Sequence, residues 1–213
     1  MRKLFPFIIL GACLLACSST KIYPKIKCHV CLRQSDGILL MPLAWDPSFR
    51  NLSTAQQNEL EQQILENLRK EGFTKVELLD QLDYELLNAG IKDLNDPFQR
   101  AKIHKELGYP YLLGLILGEA KWKGEWEFPD LNNPSSNQYW EEDETVTATL
   151  QMALVESETA NIVSDYSIQT VQNGIPIPIG GGETMDLNFG SISQAVGIAT
   201  RKGIKNLIKD CSC

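Results

Sequence analysis

Histidine is scarce in this sequence: His29 and His104 are the only two in 213 residues. Imidazole is the commonest general base near neutral pH, so most hydrolase constellations are hard to assemble from what remains. Clustered cations are missing as well. Lys and Arg total 20 against 27 Asp and Glu, the formal charge is -7, and no basic run exceeds two adjacent residues. Nucleic acid, which is held by a basic patch or stripe, is therefore excluded as an expected partner. The leading apolar run, Leu4 to Leu15, is shorter than the roughly 20 residues of a permanent membrane helix. No internal repeat or linker divides the chain. What is present, 43% hydrophobic and 22% charged residues, is the composition of one globular domain with a core of its own.

The first residues carry an address. Arg2 and Lys3 precede the apolar run, and Leu14-Leu15-Ala16-Cys17 is followed at once by Ser18, Ser19 and Thr20. A charged start, a short apolar stretch and a small residue before the cut are the parts of a secretory signal. The Leu-Leu-Ala-Cys string resembles the lipobox of bacterial lipoproteins. That resemblance implies cleavage before Cys17, acylation of its sulfur and new amine, and no cofactor. Ser18 after the cysteine implies, by the habit of that family, sorting to the outer membrane. Residues 1–16 then read as a signal peptide, 17–37 as a lipidated tether and 38–213 as the domain. Two or three acyl chains anchor stably where one would not. Cleavage also removes Arg2 and Lys3, leaving a more acidic chain that gains nothing from anionic lipid.

Of six cysteines, Cys13 leaves with the signal and Cys17 is the expected lipid carrier, so Cys28, Cys31, Cys211 and Cys213 remain. An even number in an oxidising compartment reads as two disulfides, with three possible connectivities. Cys211 and Cys213 flank one residue, and a ring that small is strained, which favours pairing across the two ends. Two other readings stay open at this level. Cys28-His29-Val30-Cys31 has the spacing of a thiol-redox pair, and the four thiols, with or without His29, have the spacing of a zinc site.

Along the chain, Ile38 to Leu43 reads as a buried strand. Ser53-Thr54-Ala55-Gln56 opens a helix whose Leu60, Ile64, Leu65 and Leu68 share a face and which ends at Gly72. Thr74 to Leu79 predicts a strand, Asp80 to Gly90 a short helix, and Asp96-Pro97 a helix start with Gly108 as its end. Tyr111 to Leu117 predicts a central strand. Glu144 to Val155 alternates apolar residues with Thr and Gln, as half-buried antiparallel strands do. Ile162 to Val171 follows as another strand, then a Pro/Gly loop over 174–182 and a last helix over 191–209. This order predicts a single-domain α/β sandwich with a mixed sheet, antiparallel in its C-terminal half, packed by three to four helices.

The opening strand ending in Pro42, the helix exit Glu71-Gly72-Phe73, Lys105-Glu106-Leu107-Gly108 before Tyr111-Leu112-Leu113-Gly114, and a meander turning at Glu156 to Asn161 together resemble a superfamily of envelope lipoproteins. It contains the curli secretion channel, the lipoprotein activators of penicillin-binding proteins, and the amino-terminal domain of the Tol translocation protein. The resemblance implies a non-enzymatic partner-binding or assembly factor, or alternatively a subunit of an oligomeric secretion pore.

Chemical motifs are thin. Ile179-Gly180-Gly181-Gly182-Glu183 lacks the Lys-Ser/Thr of a phosphate loop, Trp140-Glu141-Glu142-Asp143-Glu144 lacks the ligand periodicity of an EF-hand, and His104 has no nucleophile in a recognised motif. An enzyme remains the lesser expectation. Trp122, Trp126 and Phe128 share one face of an alternating strand, as core or as an exposed patch. With Trp140 on the following loop, Trp122 and Trp126 are the expected partner-binding residues.

Overall fold

The computed structural model describes residues 18–45, 53–123, 145–173, 175–180, 183–187 and 191–212. Seven strands form one mixed sheet in the order β1-β7-β6-β5-β2-β4, with β3 also on β5. They are β1 (Ser18–Ile26), β2 (Ile38–Leu40), β3 (Ala44–Trp45), β4 (Val76–Leu78), β5 (Tyr111–Lys123), β6 (Thr145–Glu156) and β7 (Ile162–Asn173). The helices are α1 (Thr54–Lys70), α2 (Asp83–Asn88), α3 (Pro97–Lys105) and α4 (Ile192–Cys211). A separate two-stranded hairpin pairs β8 (Ile175–Gly180) with β9 (Glu183–Leu187). The predicted fold class is the observed one.

Strand direction changes along the sheet. β2 runs parallel to both β4 and β5, whereas β5, β6, β7 and β1 are successively antiparallel. Parallel strands need crossover helices, which cover them on both faces. Accordingly Ile38, Leu39 and Leu40 are all buried. Ile38 and Leu40 join the large core with α1 and α4, and Leu39 joins a smaller one with Leu82, Ile91, Ile103 and Leu112 beside α2 and α3. β6 instead alternates: Val146, Ala148, Leu150, Met152 and Leu154 are buried in the large core while the residues between them are half-exposed.

The local signals work as written. Ser53 accepts from the backbone N–H of Gln56 and the Gln56 side chain returns to the cap, a capping box worth about 1 kcal/mol if its serine is lost. Gly72 closes α1 at φ +102°, a conformation that costs glycine little. Ser191 and Gln194 repeat the box at α4. Near the middle of α4, Gly203 lets the helix lie directly on the sheet: a Cβ there would come within 2.5 Å of Ile168 Cδ1 and 3.1 Å of Met152 Cε.

Three expectations are corrected. The tether is not a tether, because Ser18–Ile26 is an edge strand hydrogen-bonded to β7, and the following residues are tied down by Leu32 N–H donating to Cys211 O. The short helix splits into a 3-10 turn, Leu79–Gln81, and α2. The Pro/Gly loop is largely the β8–β9 hairpin: in a two-stranded ribbon each strand is an edge, where Pro176 and Pro178 remove no interior ladder bond.

Candidate functional site: an anchored end and an uncovered sheet face

Antiparallel register defines two ends of the sheet. At one end Ser18 lies opposite Gln172, Gln172 opposite Val146, and Val146 opposite Trp122, so four strands share one row. The hairpin begins two residues past β7, at Ile175. Cys17 immediately precedes Ser18 and lies outside the described residues, as do Trp126 and Trp140. Trp122 is described only by its register position. We call this the anchor end, after the acylation expected of Cys17.

β1 is an edge protected against further pairing. Lys21 and Lys25 are exposed along it and Lys27 just past its end, Pro24 removes a donor, and the register shifts between Pro24 and Ile26. Charge, proline and a bulge on an exposed edge all discourage addition of a foreign strand. On its inner row the Thr20 and Thr170 hydroxyls lie 3.0 Å apart.

The second feature is the face of β5, β6, β7 and β1 turned away from α4. Cross-strand partners share a face, so Tyr23, Ser167 and Gln151 stand side by side, as do Lys21, Gln169 and Thr149. No described helix covers these rows. Tyr23 is 49% exposed and Ile116, opposite Gln151, 45% exposed on an otherwise polar surface. Asp165 is the buried carboxylate of the face, 8% exposed, held by both oxygens to Gln151 Nε2 at 3.2 Å and lying 4.0 Å from Lys25 Nζ. Such a surface fits a broad polar contact.

At the opposite, distal end the chain is cross-linked. Cys28 and Cys211 are joined by a disulfide spanning 183 residues, and Cys31 is disulfide-bonded too, while Cys213 lies outside the described residues. The Cys28 sulfur is therefore engaged neither with Cys31 nor with a metal, which removes the redox-pair and zinc readings as drawn from the sequence. Among the described residues no group of three or more His, Cys, Asp or Glu could hold a metal ion. Beside the disulfide Tyr166 donates from its hydroxyl to Asp210 Oδ2 at 2.8 Å. Burial, then that carboxylate, push the phenol above its ordinary range.

His104 sits on α3 with its Nδ1 3.4 Å from Glu158 Oε2, and Lys105 Nζ lies 2.8 Å from Glu158 Oε1. Lys105 first, then His104, hold Glu158 below the usual carboxylate range. This exposed ion pair fastens α3 to the β6–β7 turn. The glycine run joins two strands, Gly180 ending β8 and Glu183 opening β9, so it lacks the helix N-terminus a phosphate cradle needs. As for the pore, the row from Val146 to Leu154 is buried beneath α4 and serves the core here. No described helix is long and apolar enough to cross a membrane.

Sequence reasoning missed β1 and the hairpin. Thr20 and Ile22 alternating with Lys21 and Tyr23 was the available signal for the first, and Ile-Pro alternation over 175–179 for the second.

No protein-family model matches the chain, and no curated protein matches it. Its fold is nonetheless found among solved structures. Two PelC dodecamer structures from Paraburkholderia phytofirmans, one of a point variant, are 10% identical and cover 89% of this chain. They superpose with TM-scores of 0.51 over 98% of the variant chain and 0.50 over 96% of the other. The lipoprotein GNA1162 from Neisseria meningitidis is 14% identical, with a TM-score of 0.43 over 80% of this chain and 99% of its own. Likeness at such identities is one of fold.

Proposed function

We propose that the chain is a lipoprotein of the bacterial envelope, acylated at Cys17, held on the periplasmic face of the outer membrane, and acting by binding a protein partner rather than by catalysis. The observation that carries this is the uncovered sheet face. Among the described residues, the helices beside β7, β1 and most of β6 pack on one side, and the other side presents hydroxyls, amides, Lys21, Tyr23 and, on the neighbouring β5, Ile116. A partner burying about 1,000 Å² or more in total would fit there. The β5–β6 connection, with Trp126 and Trp140, joins the same strands at the anchor end. Along with Trp122 it is the proposed auxiliary contact.

Crosslinking in intact cells followed by mass spectrometry tests this reading. A specific crosslink from the uncovered face or the tryptophan segment, lost on alanine substitution at Trp122, Trp126 and Trp140 in folded protein, supports it. Hydrolytic turnover by a partner-free protein overturns it. A second reading, a ring of copies, draws on the dodecameric PelC structures that share the fold. Light scattering of detergent-extracted protein separates the two, since a closed ring requires several copies and a scaffold requires one.

A further inference from the structure

Among the described residues, the three most exposed large hydrophobic side chains all fall within residues 84–98: Tyr84 at 73%, Leu87 at 63% and Phe98 at 85%. Their helices already bury other residues, since Leu82 and Leu86 of the α2 segment and Ile103 of α3 go into the smaller core. Tyr84 and Leu87, three residues apart, share one side of α2. Phe98 is five residues before Ile103, which turns it well away from the buried side of α3. The α2–α3 junction brings the two helices together. Lys102 Nζ donates to Ala89 O at 2.8 Å, and Gln99 Oε1 accepts from the backbone N–H groups of Lys92 and Asp93 at 2.6 and 3.0 Å. Leu87 lies two residues before one end of the Lys102 bond and Phe98 one helical turn before the other, so both border the same seam.

Charge around this seam is of one sign. Asp80, Asp83, Glu85 and Asp93 are exposed, against one exposed cation, Lys92. The cations that follow on α3 are engaged: Arg100 and Lys102 are half-buried and donate to the carbonyls of Leu94 and Ala89, and Lys105 pairs with Glu158. We propose that the α2–α3 patch docks an apolar segment of another protein flanked by lysines and arginines. Its apolar side chains sit on Tyr84, Leu87 and Phe98, and its cations face Asp80, Asp83 and Glu85. Exposed aromatic rings suit such cations as well. A second copy of this chain, acidic at -7, and an anionic lipid surface would each bring like charge to the patch. The proposal goes beyond the sheet-face reading and does not depend on it or on acylation.

The test titrates the full chain against two fluorescent helical peptides of one apolar pattern, with leucines on one face and either lysines or glutamates on the other. The lysine peptide should bind, more weakly as salt rises, and the glutamate peptide at least about tenfold less tightly. Leu87→Ala with Phe98→Ala should raise the Kd of the lysine peptide at least about tenfold. Both positions are exposed, and circular dichroism with the intact Cys28–Cys211 disulfide reports folding. Asp83→Asn with Glu85→Gln should weaken binding and flatten its salt dependence, whereas Glu66→Gln, on the exposed side of α1, should leave the Kd within about twofold. Equal binding of the two peptides, or an unchanged Kd in the Leu87/Phe98 variant, overturns the proposal. In cells, a photoreactive residue at position 98 should crosslink to a protein segment that joins apolar residues to lysine or arginine. A crosslink to phospholipid, to a second copy or to nothing overturns it.

Discussion

The two ends of this sheet are built to different rules. At the distal end the turns are short, and nearly every polar group in them is spoken for. Ser157 Oγ donates to the carbonyls of Tyr109 and Pro110 at 2.8 and 3.0 Å, Ser157 N–H also reaches Pro110 O, Ile38 N–H reaches Lys75 O, and the disulfide closes the chain on itself. At the anchor end the β5–β6 connection is far longer in sequence, and β8 and β9 pair with each other and with no strand of the main sheet. The distal end is where the described cross-links gather. The same division appears across the sheet, between strands covered on both faces and strands covered on one.

The largest effect expected of that contrast comes from reduction. A cross-link enclosing 183 residues is worth about 5 kcal/mol in the loop-entropy account, so oxidised and reduced protein should differ by roughly that amount in urea unfolding. Removing Cys28 and Cys211 alone should cost less, since Cys31 retains its own cross-link near the same end. The membrane association proposed for the other end should be the same in both redox states. If reduction freed the protein from the membrane, the division of labour between the ends would fall.

Next comes the helix that spans both ends. Gly203→Ala would drive a methyl group into Ile168 and Met152, and overpacking of that kind costs about 1–3 kcal/mol. The denaturation midpoint should fall with an unchanged slope. A smaller loss, about 1–2 kcal/mol, is expected of Ser157→Ala, which strips a buried donor from two carbonyls. In contrast Ser19→Ala, exposed on β1 at the opposite end, should leave the midpoint within about 0.5 kcal/mol of the parent. Equal losses at positions 157 and 19 would erase the distinction between the ends.

How far the sequence foretold this arrangement follows the same line. α1 was readable because its capping box, apolar stripe and terminal glycine are local signals that agree. β2 and β5 were readable because continuous apolar runs belong to doubly covered strands. The order of elements then gave the mixed sheet. β1 was not readable: it has three half-buried inner residues, Ser18, Thr20 and Ile22, of which one is apolar, and its strand state comes from pairing with β7, some 150 residues away. The hairpin was hidden because proline and glycine are also the signature of loops, and only pairing tells a ribbon from a turn. The pairing of Cys28 with Cys211 is likewise a property of topology, which brings the end of α4 to the exit of β1. Cys17, Trp126 and Trp140 lie outside the described residues, and the expectation for Cys17 rests on its motif alone.

The smallest expected effect lies in the ion pair that fastens α3 to the distal turn. Glu158 is exposed, and its carboxyl is held below the ordinary range first by its hydrogen bond and ion pair with Lys105 and then by His104. A carboxylate whose folded-state pKa is depressed contributes stability that is present above its unfolded value and is lost as pH falls through the folded one. Stability from this group is therefore intact at neutral pH and fades only on the acid side of the usual carboxylate range. Because the pair is exposed, salt and water screen it, and the stability change should be slight. The titration itself is the sharper measurement. By carbon-detected NMR, Glu158 should titrate below the other exposed glutamates, and Lys105→Met should move it upward by more than His104→Gln does. An unmoved titration in Lys105→Met would mean that α3 and the turn are held by the buried contacts of Ile103 and Ser157 alone, and that the pair adds nothing to the distal end.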